Sequence, residues 1–171
     1  MKGYRTLIRA AATARGDGAD VELRIVGPSV TTAEAHHRRE LEQLVASSGA
    51  PVRLDSGVAR GEVAQLLSDT DALVNTTDRG SADKVVFEAM AAGRPVLVTS
   101  DAFAPLVADL PLTLLRPPND ATALAAGITA LATASPSALD EIGAELRRRV
   151  ERDHSLRHWA QALRKLLVPG R

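Results

Sequence analysis

The stretch GSADKVVFEAMAAGRPVLVTS, residues 80–100, holds the side chain best placed for chemistry. Glu88 stands in a predicted helix whose other positions are apolar almost all the way round. At about 100° per residue it falls between Ala91 and Ala92, with Lys84 close by. Val85, Val86, Phe87, Ala89 and Met90 occupy the rest of the wheel. A helix of that kind is expected to be covered on most sides. A carboxylate inside such a helix needs partners, because burying it unpaired is costly. Two readings stay open. Lys84 and Glu88, one turn apart, can form a surface pair of about 0.2–0.5 kcal/mol, in the weaker Lys-before-Glu order. Alternatively, Glu88 accepts hydrogen bonds from the hydroxyls of a ligand such as a ribose, with the small alanines leaving room beside it. The preceding loop suits the second reading. Gly80, Ser81 and Ala82 can bring backbone N–H groups close to a ligand, and a helix N-terminus favours an anion. Phosphate at the helix start and a diol further along would together describe a nucleotide.

The other candidates carry less. His36 and His37 are adjacent on a helix and point about 100° apart, which is poor metal geometry and reads as a solvated face. His154 and His158 are four apart, but only Asp153 stands near as a third ligand. The basic run ELRRRVERDHSLRHW has acids interleaved and reads as a solvated helix. Neither a G-x-G-x-x-G fingerprint after a strand, nor a P-loop, nor a G-x-S-x-G elbow occurs, which argues against dehydrogenase, P-loop NTPase and hydrolase sites.

The elements that position Glu88 alternate. Helices are expected at GYRTLIRAAATAR, at TAEAHHRRELEQLVASSG with Thr32 as N-cap and Gly49 as its end, at GEVAQLLSDT, at DKVVFEAMAAG and at APLVADL. Strands are expected at VELRIVG, VRLDSGV, ALVNTT, PVLVTS and LTLLRP. Three helices follow at about 120–133, 136–153 and 155–167. In the last, Leu156, Trp159, Leu163 and Leu166 form a stripe expected to pack it down. Alternating strands and helices predict an α/β fold, a Rossmann-like parallel sheet with helices on both faces. The apolar cores LRIV, ALV and VLV fit strands covered on both sides. Ligands of such sheets bind beyond the carboxyl ends of the strands. The loops there are GPSVTT, GVARG, TTDRGSAD and SDAFAP, of which the third leads into the Glu88 helix.

The totals bound the answer. The sequence has 171 residues, 21 basic and 21 acidic, with no cysteine and 2% aromatics. That length predicts one domain, residues 1–171, ending in helices at 136–168. Charge balance gives no field to draw nucleic acid or anionic lipid. The lack of cysteine excludes disulfides and thiolate metal sites. No signal-like or membrane-spanning run is present, so a cytoplasmic location is expected.

FEAMAAGRPVLVTS resembles the signature of retaining glycosyltransferase family 4, in the donor-binding C-terminal half of a two-domain GT-B fold. KGYRTLIRAAA resembles that family's first helix, LRIVG the strand after it, and VRLDSGVARGEVAQLLSDTDALVNTT the following strand, loop, helix and strand. The resemblance covers nearly the whole chain and implies a metal-independent sugar transferase, with a terminal helix that often crosses onto the other domain and leaves part of the stripe of Leu156, Trp159, Leu163 and Leu166 exposed. No cofactor is expected, and the nucleotide-diphosphate sugar enters as substrate. Glu88 would be the second glutamate of the family's E-x7-E pattern and would hold the ribose. Eight residues earlier stands Gly80, so the first glutamate is absent. The segment Gly80, Ser81, Ala82, Asp83, Lys84 matches a Gly-Ser-x-Asp-Lys variant, whose amides from Ser81 to Lys84 would meet sugar and diphosphate. Lys2 matches the lysine that pairs with the phosphates. Gly57 and Val58 sit where the family's backbone contacts the base.

The chain begins at that lysine. The resemblance therefore implies that a first, central strand, its Gly-Arg loop and an N-terminal acceptor domain lie outside it. The expectation is a donor-binding fragment that binds nucleotide sugar and does not transfer it alone. Its partners would be the nucleotide sugar and the acceptor domain, with no nucleic acid, and with any membrane contact made through the absent half. The alternative is a non-catalytic interaction or nucleotide-binding module that kept the fold.

Overall fold

The computed structural model describes residues 3–77 and 80–167, apart from the side chains of residues 162 and 166. In chain order the elements are α1 (Tyr4–Gly16), β1 (Leu23–Val26), α2 (Thr32–Ser48), β2 (Val52–Asp55), α3 (Val63–Ser68), β3 (Leu73–Asn75), α4 (Lys84–Ala91), β4 (Val96–Val98), α5 (Ala104–Val107), α6 (Ala121–Thr133), α7 (Pro136–Asp153) and α8 (Leu156–Leu167). Single 3-10 turns at Arg60–Glu62 and Asp101–Phe103 lead into α3 and α5.

Local chemistry sets most of these boundaries. Thr31, not Thr32, caps α2: its hydroxyl accepts from the Glu34 amide, and the Glu34 carboxylate accepts from the Thr31 amide at 2.8 Å. The T-x-x-E spacing of a capping box shifts the helix start by one residue. Gly49 ends α2 in the left-handed region at φ 62°. Asp120 and Ser135 cap α6 and α7, the latter with a proline in its first turn.

All strand pairing is parallel. β1 pairs with β2, Leu23 opposite Val52 through Val26 opposite Asp55. β3 pairs with β4, Leu73 opposite Val96 through Asn75 opposite Val98. α1 packs on α2 and α6, while α4 packs on α3 and α7, so helices cover both sides. This is the α/β class that the alternating pattern predicts.

Two local expectations are corrected, at LTLLRP and on α8. The strands form two parallel pairs. A cavity of about 820 Å³ separates the pairs, lined by consecutive residues of β1 (23–26) and β3 (73–75). LTLLRP is not a strand. Leu112 and Thr113 adopt φ of 69° and 48°, which breaks extension and leaves one parallel bridge, Leu115 to Val98. The stripe on α8 does not pack down: Leu156 is 85% and Trp159 63% exposed, and Leu163 is also exposed. The side chain of Leu166 lies outside the described ones.

The larger core surrounds β3 and β4, with Val96, Leu97 and Val98 fully buried against Met90, Phe103, Leu124 and Leu146. A smaller one joins Ile8, Ala11, Leu41, Ala50 and Val52. No single described helix is long and apolar enough to cross a membrane.

Candidate functional site

The carboxyl ends of the strands gather four loops, and the amide groups in them differ in how they are satisfied. After β1, the carboxylate of Glu34 accepts from the amides of Thr31 (2.8 Å) and Val30 (2.9 Å). These bonds, with the Thr31 hydroxyl, hold the Glu34 carboxyl below its ordinary range. After β2, the Glu62 carboxylate accepts from the Ala59 amide at 2.8 Å. After β3, the Asp101 carboxylate reaches across from the loop beyond β4 and accepts from the Gly80 amide at 2.9 Å. By contrast, the amides of Ser81, Ala82 and Lys84 donate to no acceptor among the described residues. Unused backbone donors therefore stand at the start of α4, at the end of the helix dipole that would favour an anion.

The loop carrying these amides is pinned at several points. Gly3 donates to the Thr76 carbonyl at 3.0 Å. The Thr99 hydroxyl donates to the Thr77 carbonyl at 2.9 Å. Asp83, the residue before α4, points its carboxylate inward, accepting from the Asn75 amide group at 2.9 Å and the Thr77 hydroxyl at 2.5 Å. Its other oxygen accepts from the Ser81 hydroxyl at 3.2 Å. Asn75, Thr76, Thr99 and Ser100 are buried polar residues at the ends of β3 and β4. Buried polar groups that brace one another rigidify the loop they support. Gly80 occupies the left-handed region at φ 77°, which a glycine adopts without strain.

Glu88 stands otherwise than expected. α4 buries Val86, Ala89 and Met90, whereas Lys84, Glu88 and Ala91 form its solvent arc. The wheel places that arc correctly, but it is open rather than covered. The premise of a glutamate held inside a covered helix is therefore corrected. The Glu88 carboxylate has no ion pair or hydrogen bond with any described residue, so the Lys84–Glu88 pair is not formed either. Its carboxylate is left free for a ligand, without the constraint that burial would impose.

Gly57 and Val58 are exposed in the loop after β2 and line the cavity together with Pro28, Asn75 and Thr76. A side chain at Gly57 would lie 2.8 Å from the Pro28 ring, so only glycine lets these two loops touch. The 80–84 segment and Glu88 are not among the cavity's lining residues, whereas Asn75 and Thr76 border both regions. Lys2 lies outside the described residues. Asp101 is a neighbour of Gly80 that the sequence did not reveal, because only the pairing of β3 with β4 brings the two together.

Among the described residues no three His, Asp or Glu side chains group to hold a metal ion. His154 and His158 straddle the break between α7 and α8, and His154 stacks on Phe87 with ring centroids 4.7 Å apart. His36 and His37 both lie beside Glu40 on the outer face of α2.

The chain is similar in fold to Alr3699/HepE from Anabaena, solved with UDP and glucose, at TM-score 0.84 and 21% identity over 99% of this chain and 45% of that one. It is similar to a TarM mutant from S. aureus, solved with UDP among its ligands, at TM-score 0.76 and 18% identity over 94% and 32%. It also matches the catalytic domain of cholesterol-alpha-glucosyltransferase from Helicobacter pylori, at TM-score 0.70 and 19% identity over 86% and 88%. At such identities the likeness speaks to fold. The chain spans less than half the length of the first two. No curated protein sequence matches it. The family model described as glycosyl transferases group 1 matches residues 1–134, well over half of the 171, and the chain belongs to that family.

Proposed function

We propose that the chain is the donor-binding domain of a retaining, metal-independent glycosyltransferase of family 4, the C-terminal half of a GT-B enzyme that uses a nucleotide-diphosphate sugar. The observation that carries this reading is the family match over residues 1–134. The unused amides of Ser81, Ala82 and Lys84 support it, since they offer donors for a diphosphate at a helix N-terminus. In this reading Gly57 and Val58 meet the base with their backbone, Glu88 accepts from the ribose hydroxyls, and Lys2 faces the phosphates. Gly80 and Asp83 shape the loop rather than contact the donor through a side chain.

Catalysis in the whole enzyme would rest on stabilising the departing diphosphate with fixed positive groups, which act where charge develops. The acceptor would come from a second domain. The cavity between β1 and β3 has room for an extended strand from the same larger protein.

Calorimetric titration with UDP and with GDP tests the reading. Binding is expected for one of them, weakened about tenfold or more by Glu88→Ala, the loss of a charged hydrogen-bond partner. No binding of either nucleotide, or a Glu88→Ala variant that binds as tightly as the parent, overturns it. A second reading, a non-catalytic module, draws on Gly80, which stands where the family pattern has its first glutamate. Failure of both nucleotides would favour it.

A further inference from the structure

The β3–α4 loop presents a difficulty for an anion site, because two carboxylates stand beside it, Asp83 and Asp101. A negative group near a diphosphate repels it unless its charge is engaged elsewhere. The geometry resolves this in the same way for both. Asp83 is turned inward onto Asn75, Thr77 and Ser81. Asp101 is turned onto the amide of Gly80. The unused amides of Ser81 and Ala82 lie between these two pins, at residues 80 and 83, and that of Lys84 directly follows the second.

We propose that Asp101 is a positioning residue of the donor site. Its carboxylate holds the Gly80 amide and so fixes the direction in which the amides of Ser81, Ala82 and Lys84 point. The inference rests on the donor reading above and adds to it a residue that contacts no substrate. Three observations carry it. The bond spans 21 positions in sequence and joins the loops of adjacent strands, so it fixes tertiary rather than local geometry. Asp101 itself is fixed, since it opens a 3-10 turn whose preceding residue, the fully buried Ser100, accepts from the Ala102 amide. Gly80 lies at φ 77° and, having no Cβ, is the least restricted residue of the loop, so a tether there removes the most freedom. A loop already ordered in its binding geometry loses less entropy when ligand arrives. The bond also withdraws the Gly80 amide from the ligand, leaving Ser81 as the first free donor.

Two variants separate the roles of the carboxylate. Asp101→Ala removes the acceptor, whereas Asp101→Asn keeps an acceptor oxygen and removes the charge. Amide hydrogen exchange at Gly80 is read without ligand, and UDP or GDP affinity by calorimetry. In Asp101→Ala, Gly80 exchange is expected to rise about tenfold and nucleotide affinity to fall about five- to tenfold. Asp101→Asn is expected to match the parent in both, a rescue that mere structural disruption would not give. The proposal is overturned if Gly80 exchange in Asp101→Ala equals that of the parent, if exchange rises while affinity holds, or if the Asn variant is as weak as the Ala variant. Tighter binding by Asp101→Ala would mark the carboxylate as a competitor for the site and overturn the positioning role. A parent that binds neither nucleotide sinks the donor reading instead, and this positioning role with it, while Gly80 exchange still shows whether the tether forms.

Discussion

The β3–β4 pair and the β1–β2 pair are built from parallel strands of similar length, yet they are stabilised differently. Every residue of β4 is buried, and α4, α5, α6 and α7 contribute to the core around it. β1 and β2 are half-buried and place Arg24 directly opposite Arg53, both exposed. Like charges directly opposite each other are unfavourable. Asp55 offsets them, meeting Arg24 at 2.7 Å and Arg53 at 3.4 Å, and Arg24 beside it lowers its carboxyl below the ordinary range. The first pair thus sets a dry, close-packed β4 beside a half-buried β3 that borders the cavity, and the second is partly wet and held by charge. The loop with the free amides, and the aspartates that brace it, spring from the dry pair. A site that must hold backbone donors in fixed directions gains from standing on the part of the fold least able to move.

The sharpest way to break the comparison is at a glycine of the dry half. A Cβ at Gly143 of α7 would lie 1.9 Å from the carbonyl oxygen of Gly93, in the turn that ends α4. Backbone cannot yield as a side chain can. Gly143→Ala is expected to cost about 3 kcal/mol or more in urea unfolding, despite alanine's better helix propensity. A Cβ at Gly127 has as its nearest neighbours the Leu97 methyls at 2.7 and 2.9 Å and the Arg116 side chain at 3.0 Å, which can shift as backbone cannot. Gly127→Ala should cost about 1 kcal/mol. Equal costs would mean that α7 does not press on the α4 turn as described.

Next in size is a matched pair of truncations. Leu97→Ala, at a fully buried site, is expected to lose about 3 kcal/mol. Leu54→Ala on half-buried β2 should lose about 1 kcal/mol, measured the same way. If Leu54 cost as much as Leu97, the wet half would be as well packed as the dry one.

Acid should act on the dry half through Arg149. Its guanidinium holds Asp109 with two bonds of 2.6 and 2.9 Å, Glu145 at 2.6 Å and the Leu106 carbonyl at 3.0 Å, tying α7 to α5. Beside it both carboxyls are held below their ordinary values, 3.8 and 4.5, chiefly by these hydrogen bonds. A carboxyl lowered in the fold adds stability above its ordinary value and loses that contribution as pH falls through the lowered one. The thermal midpoint of the parent should therefore exceed that of Arg149→Met at pH 7, and the gap should narrow below about pH 4. A gap of the same size at both would sink this account. The guanidinium is itself held more firmly protonated, an effect whose loss lies beyond the working range of pH.

The smallest effect is expected at the exposed charges. Arg24→Ala should move the midpoint by no more than about 2 °C, with the difference fading in high salt. A large, salt-independent shift would show that Arg24 does more than offset Arg53.

Much of this molecule is legible in its residues. Gly49 and Gly93 mark helix ends, the run Val96, Leu97, Val98 reads as a strand without a wet side, and the wheel of α4 separates Lys84, Glu88 and Ala91 from the buried arc. These follow from chain geometry acting over a few residues. The exposure of that arc does not, since an alanine-rich face suits a neighbouring helix and water alike. The misplaced strand at LTLLRP has a similar cause: its leucines suit extension, but the turn at Leu112 and Thr113 takes residues out of it. The α8 stripe has amphipathic spacing, which suits packing onto this chain and crossing onto another domain alike, and spacing does not say which surface, if any, lies against it.

The sequence by itself determined most helix ends to within a residue or two, which strands are apolar, and that the class is α/β. Those features depend on hydrogen-bonding and steric rules local to the chain. The tertiary structure alone decided that Asp101 finds Gly80, that Gly143 lies on Gly93, that Glu88 faces solvent, and that the strands stand as two pairs around a cavity. Each of these is a meeting of residues distant in sequence, or a choice between solvent and a neighbour, and local propensity carries no information about either.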